Sequence, residues 1–342
     1  MSSRGRAIAA TVTFAALMGA AWLMVASRSA SALTVYCAHD VIFAEQLIAQ
    51  FRDHTGVQTE ATYDTEVAKS LGLVQRLERE AAHPLCDVFW NNEPLGTMSL
   101  AAKGLLEPYE SPEAAKRPAT FRDPENRWTG FGVRYRVWIV NTEKMPAMMD
   151  AIEQRMNGGD LSRVAIAEPL YGTTLTHWSL LWNRMGAEEL KRWHRSLKDR
   201  GVHFVKGNGA VRDLVAAGTC DFGMTDTDDF FGALDAKNPV AMLPIRVEGK
   251  TIAIPNTVSI VKGARHPKEA RLLVDFLLSA KSDVALAKSG SRQAPVHADV
   301  AGMDVPAEIA EMHAWAADAA DLSGLSQSRD ECLEWLLKEF AP

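Results

Sequence analysis

The stretch Asp87-Val88-Phe89-Trp90-Asn91-Asn92-Glu93 passes from apolar to polar within seven residues. Val88–Trp90 reads as a short buried strand. Its abrupt end in Asn91, Asn92 and Glu93 places polar groups at the carboxyl edge of a sheet, where open α/β folds bind ligands. Upstream, Thr34–Asp40 (TVYCAHD) has the same form, an apolar strand closing on His39 and Asp40. Two strand ends of this kind imply a cleft that grips a ligand.

Working outward, strands and helices alternate. Leu33–Ala38 and Val57–Tyr63 read as strands. Phe43, Leu47, Ile48 and Phe51 share a helical face between them, stopped by Gly56. Val67, Leu71, Val74 and Leu77 make a second face, and a third helix is expected over Leu95–Lys103. This rhythm predicts a parallel sheet with helices on both sides. A proline-rich passage follows, with the strand-like run Gly132–Asn141 inside it. The α/β rhythm then restarts: strands at Val164–Ala167, Val202–Val205 and Asp221–Thr225, and helices at Thr173–Met185, Glu188–Arg200 and Val211–Ala217. Extended runs at Arg136–Asn141 and Asn256–Val261 read as crossovers between two lobes. The expected organisation is a first lobe of residues 33–137 plus 257–298, a second of 138–256, and C-terminal helices over 299–342 with a packing role. Ser328 and Glu331 have the spacing of a capping box.

Residues 1–32 read as a signal peptide. Arg4 and Arg6 precede the apolar Ala7–Ala26, and Ala30-Ser31-Ala32 fits a small-x-small cleavage site. The competing reading is a retained membrane anchor. Without Arg4, Arg6 and Arg28, the 37 basic residues fall to 34 against 43 acidic, a net charge of −9. The charges are interspersed and no basic stripe stands out, which argues against a nucleic-acid partner. Cys37, Cys86, Cys220 and Cys332 match no metal or CxxC spacing. They read as four buried thiols, with a Cys220–Cys332 bridge as the alternative.

The order and spacing of five segments carry a family resemblance. These are TVYCAHD, DVFWNNE, Arg136–Pro146 (RVWIVNTEKMP), Thr225–Phe231 (TDTDDFF) and Ile254–Ser279, a return strand followed by a helix ending in DFLLS. Together the chain resembles the periplasmic solute-binding proteins of bacterial ABC importers, in the group containing the ferric-iron-binding proteins. The resemblance implies an α/β fold of two lobes, type II-like, with a two-strand hinge closing over a ligand. It implies a monomer in the periplasm that hands its ligand to an ABC permease in the inner membrane. It also implies ferric iron or another hard metal with a bound anion as the ligand, held through His39, Glu93 and Asp228. The sequence departs from the group at one point. The group carries adjacent tyrosines after the strand corresponding to Asp221–Thr225, whereas here the adjacent aromatics are Phe230 and Phe231, which have no oxygen to offer. Asn92 stands near the position of the group's glutamate, and Glu93 follows it.

Other candidates have both a ligand reading and a structural one. Asp226, Asp228 and Asp229 suit a hard cation or a cationic group; they equally suit the positive end of the next helix. Gly172-Thr173-Thr174 opens a helix with free N–H groups and two hydroxyls, an anion seat or a simple cap. Tyr63 lines the cleft or packs. Arg134 pairs with a ligand carboxylate or phosphate, or with a protein acid. Asn256 reaches the ligand or satisfies hinge backbone. His177 reads as a packed or surface histidine. A small anionic solute, such as a phosphonate or phosphorylated compound at Gly172–Thr174 with Arg134, is therefore the alternative ligand. A lipid-carrying or scaffold role has only the aromatics Trp90, Trp178, Phe230 and Phe231 behind it. A secreted hydrolase finds no support in GxSxG, HExxH or GxxxxGK[ST]. Gly207-Asn208-Gly209 fails the dinucleotide fingerprint.

If the export segment is cleaved as read, mass spectrometry of the mature protein finds Leu33 at the N-terminus. A start at Met1 would show a retained anchor.

Overall fold

The computed structural model describes residues 32–64 and 71–341. The expected signal peptide (residues 1–32), save Ala32, and the expected helix position Val67 lie outside the described residues. Among the described residues no helix is long and apolar enough to cross a membrane.

The first lobe opens with β1 (Leu33–Cys37), α1 (Val41–Thr55), β2 (Thr59–Tyr63), α2 (Leu71–Arg79), β3 (Val88–Asn91) and α3 (Pro94–Ala102). α1 buries Ala44, Leu47, Ile48 and Phe51 and stops at Gly56, whose N–H bonds back to the Arg52 carbonyl. Phe43 is only half-buried, and Ala44 takes the inner position expected of it. β1 pairs in parallel with β2 and β3, as the alternation requires. Asp87 anchors the start of β3. Its buried carboxylate accepts the backbone N–H groups of Thr34 (2.9 Å), Arg265 (2.6 Å) and His266 (3.0 Å), and it lies 2.9 Å from the His266 ring.

β4 (Leu106–Glu107) leads to β5 (Thr129–Asn141), which is buried at every position. The second lobe follows: α4 (Met149–Asn157), β6 (Val164–Ala167), α5 (Gly172–Met185), α6 (Ala187–Asp199), β7 (His203–Val205), α7 (Asn208–Ala216), β8 (Phe222–Asp226), α8 (Thr227–Asp235) and β9 (Val240–Pro244). β10 (Arg246–Val247) and β11 (Lys250–Thr251) form a hairpin before β12 (Ala253–Val261). Four helices complete the chain: α9 (Pro267–Leu277), α10 (Ala280–Lys288), α11 (Ala307–Ala317) and α12 (Ser326–Glu339).

The strand order is β2-β1-β3-β12-β5-β8-β6-β7, with β4 beside β12 and β9 beside β5. The two lobes share one strand. β5 pairs with β12 as far as Tyr135, then from Arg136 onward with β8, and with β9 from Val137. The crossing therefore falls at Tyr135–Arg136 on the way out and just before β12 on the way back. Arg136 marks it: its N–H bonds to Ile252 and its carbonyl accepts from Ile245. The runs expected as crossovers, Arg136–Asn141 and Asn256–Val261, each lie inside one lobe's sheet. A continuously apolar strand gives no periodic signal of where its neighbours change. The register of β5 on β12 shifts between Pro255 and Asn256, because proline has no N–H for the ladder.

The C-terminal helices pack as expected, but the capping-box reading fails. Ser328 lies inside α12, which already starts at Ser326. Its hydroxyl accepts from Asn183 (3.2 Å), and Glu331 accepts from the Trp182 indole (3.2 Å). The pair docks α12 on α5, where Trp335 also meets Trp182 at 5.9 Å between centroids. On α11, Trp315 sets its ring edge-on to Tyr135 at 5.4 Å.

All four cysteines are buried and unbonded, and burial pushes the Cys332 thiol up to about 12. In the native protein no thiol should react with a bulky maleimide, and all four should react after denaturation. Mass spectrometry counts the adducts; two instead of four would reveal a bridge.

Candidate functional site

A cavity of about 310 Å³ opens between the lobes where β5 changes partners. Asp40 and Asn92 line it from the first lobe, and Arg134 from the crossing strand. The second lobe contributes Ala167, Glu168, Tyr171–Thr174, Gly207–Gly209, Arg212, Asp226, Asp228 and Asp229.

Three helix starts meet here. α5 begins after Tyr171, α7 after Gly207 and α8 after Asp226, and none of these three residues caps its helix with its side chain; in α8 the Asp228 carboxylate accepts the Asp229 N–H at 3.0 Å. The first-turn N–H groups of a helix lack intrahelical partners and carry its positive end. Local sequence explains the geometry. Gly172 (φ 59°) and Gly207 (φ 88°) take left-handed backbone that a side chain would strain. At Gly223 in β8 a Cβ would stand 2.5 Å from Val211 and 2.6 Å from the Ala165 carbonyl, so only glycine lets α7 lie this close to the sheet.

Below the cavity floor lies a buried polar hub. The Arg136 guanidinium donates from one nitrogen to Asp226 (2.7 Å), Asn208 (3.0 Å) and Thr173 (3.4 Å). The other Asp226 oxygen accepts from the Thr173 hydroxyl (2.5 Å) and the Asn208 amide (2.9 Å). Thr174 donates to Asn208 at 3.1 Å. Beside the hub, Arg134 bridges the lobes, donating to Asp228 (3.0 Å) and to the Asn92 carbonyl (2.5 Å). Its Nε is buried without a protein partner.

The acids are unequal. Asp226, Asp228 and Asp229 can each bring a carboxylate oxygen within 4.8 Å of the others. Burial raises the Asp228 carboxyl, opposed by Arg134 and reinforced by Asp226 and Asp40. Burial, then Asp228 and Asp226, push Asp229 up to about 8, against a hydrogen bond from Thr225. Burial lowers the Arg134 guanidinium, but Asp228, Asp226 and Asp40 outweigh it and raise it overall.

Of the residues singled out from sequence, Asp40, Asn92, Arg134, Gly172, Thr173, Thr174, Asp226 and Asp228 line this one cavity. The expected metal set His39, Glu93 and Asp228 is not assembled. His39 packs on Trp90 (5.5 Å between centroids), with its Nε2 3.3 Å from the Gln293 amide. Glu93 folds back to cap α3, accepting from Leu95 (2.6 Å) and Gly96 (2.8 Å), and takes the Thr176 hydroxyl across the lobes (3.1 Å). Pro94 at the first helical position makes that return the natural course for its carboxylate. Asn91 bonds Thr97 and Glu93. The Tyr63 hydroxyl donates to Glu45 at 2.6 Å, away from the cavity lining. Asn256 donates to the Gly132 carbonyl (2.7 Å) and Gln293 (2.6 Å), the hinge-satisfying role. His177 is buried, and burial, then Arg136, hold its imidazole well below the usual range. Sequence reading missed Arg136, Asn208, Gly209, Arg212 and Tyr171. Gly207-Asn208-Gly209 between a strand and an apolar helix was a visible signal of an anion-facing turn, although it fits no nucleotide motif.

Two α/β lobes joined at a crossing strand, with a polar cavity between them, define a cleft that can close on a ligand. The chain matches the family model of bacterial extracellular solute-binding proteins over residues 33–292, and it belongs to that family. It is 22% identical to iron uptake protein A1 of Synechocystis over 292 residues, covering 82% of this chain and 79% of that protein. Its fold is similar to iron-bound HitA of Pseudomonas aeruginosa (TM-score 0.77, 21% identity, 91% of this chain and 99% of that one). It is also similar to AfuA of Actinobacillus pleuropneumoniae with bound fructose-6-phosphate (TM-score 0.71, 19% identity, 91% and 99%).

Folding raises the Asp229 pKa, so the native state holds a proton that the unfolded chain releases. Stability therefore falls as pH climbs from about 4 through about 8. Asp229→Asn removes that slope. Calorimetry should find the variant melting above wild type at about pH 8 and level with it near pH 4.

Proposed function

We propose that this chain is an exported, monomeric solute-binding protein of the periplasm that delivers a small anionic solute to an ABC permease. The observation that carries the ligand class is the convergence of the α5 and α7 starts on one cavity beside Arg134. Uncapped N–H groups and a guanidinium suit a phosphate or phosphonate. A cavity of about 310 Å³ exceeds what a lone ion needs and falls at the lower end of small-molecule sites. Asp228 and Asp229 would then accept hydrogen bonds from hydroxyl or amino groups on the rest of the solute. Asn92 in the first lobe and Arg134 at the crossing would sense it from the other side, so binding favours closure.

A hard metal with a bound anion, such as ferric iron, is the second reading; HitA is iron-bound and the Synechocystis relative is an iron uptake protein. The Asp226, Asp228 and Asp229 oxygens favour it. Against it, Arg136 and Arg134 already hold Asp226 and Asp228, placing cationic charge where the metal would lie.

Calorimetry of metal-free protein separates the two. With inorganic phosphate and a hexose phosphate, the anionic reading expects binding without iron and a ligand-dependent rise in melting temperature. Binding of phosphate only after iron(III) is loaded would establish the metal reading instead.

A further inference from the structure

Arg136 has no exposed surface, and it is the residue at which β5 passes from one lobe to the other. One of its nitrogens reaches three elements at once: the start of α5 through Thr173, the start of α7 through Asn208, and the end of β8 through Asp226. Asp226 closes the circuit by accepting from the same Thr173 and Asn208. The two helix starts also bond each other, Asn208 donating to Thr173 (2.9 Å) and Thr174 to Asn208 (3.1 Å), and the Arg136–Asp226 pair is what ties both of them to β5 and β8. A helix start binds an anion well only if its N–H groups already point at it, and two starts cooperate only if the angle between them is held. A buried, charge-assisted network holds such an angle better than a set of neutral contacts.

We propose that Arg136 and Asp226 are positioning residues. Their ion pair sets the α5 and α7 starts at the angle where both address one anion, and it fastens that seat to the strand crossing where the lobes hinge. Neither residue need touch the solute. The proposal rests on the anionic reading of the cavity, and it predicts that the two helix starts respond as one unit.

The test titrates full-length mature protein with inorganic phosphate. Calorimetry gives affinity, and backbone amide NMR follows Thr173, Thr174, Asn208 and Gly209. Wild type should show the amides of both helix starts shifting together and saturating at one concentration. Arg136→Met with Asp226→Leu removes both charges, so no lone buried ion remains. Folded by its circular dichroism and thermal melt, it should bind phosphate about tenfold or more weakly, and the amides of the two starts should saturate apart. Thr173→Val keeps the shape and removes the hydroxyl's bonds to Arg136, Asp226 and Asn208 while leaving the ion pair, so it serves if the double variant does not fold; it should shift affinity the same way by less. A pair that merely stabilised the lobe would lower the melting temperature and leave affinity and the joint saturation unchanged, which would overturn the proposal. Silence of both helix starts in wild type would instead overturn the anionic reading, and this proposal with it.

Discussion

Everything in this molecule hangs on one buried strand, Thr129–Asn141. A strand withdrawn from solvent along its whole length must pair its backbone groups with neighbours, because an unpaired buried N–H or carbonyl is strongly unfavourable. β5 meets that demand with two different sets of neighbours, β12 before Arg136 and β8 with β9 after it. The chain therefore passes from lobe to lobe along this strand, and the cavity lies beside the crossing. Arg134 and Arg136, two residues apart on the strand, point to the same side, which is how both guanidiniums come to the cleft.

Such burial makes the charges expensive and so dictates their company. Arg136 and Asp226 are both withdrawn from water, and losing one partner of a buried pair typically costs about 3–5 kcal/mol. Arg134 and Asp228 repeat the arrangement nearer the opening, across the lobes. Two of the three carboxylates that look like a cation site in sequence are thus committed to arginines, and the helix starts face the cavity beside Asp40, Glu168, Arg212 and Asp229.

Behind the hinge, contacts of another kind join the lobes. Glu93, from the first lobe, takes a hydroxyl from Thr176 of the second. Leu95 lies in one apolar core with Trp182, Cys332 and Leu336. α12 is thereby packed where lobe movement must pivot, through the Trp182–Trp335 contact and the Glu331 hydrogen bond.

Alternating strands and helices, polar ends on TVYCAHD and DVFWNNE, and an unpunctuated run through residue 141 were enough to point to two α/β units and a ligand cleft, and the resemblance of five ordered segments added the solute-binding role. These signals are local: periodicity, turn residues and strand-end polarity act over a few residues. Eight of the residues singled out line the cavity because strand ends and helix starts gather at the carboxyl edge of a sheet whatever else the chain does. Only the tertiary structure decided the rest. Glu93 and His39 could not be told from ligands, since a cap three residues long and a ring against Trp90 exhaust them through contacts that spacing does not reveal. Arg136 read as one residue in a crossover. It became the hub because the end of β8 and the starts of the helices after β6 and β7, far apart in sequence, fold back around its single side chain.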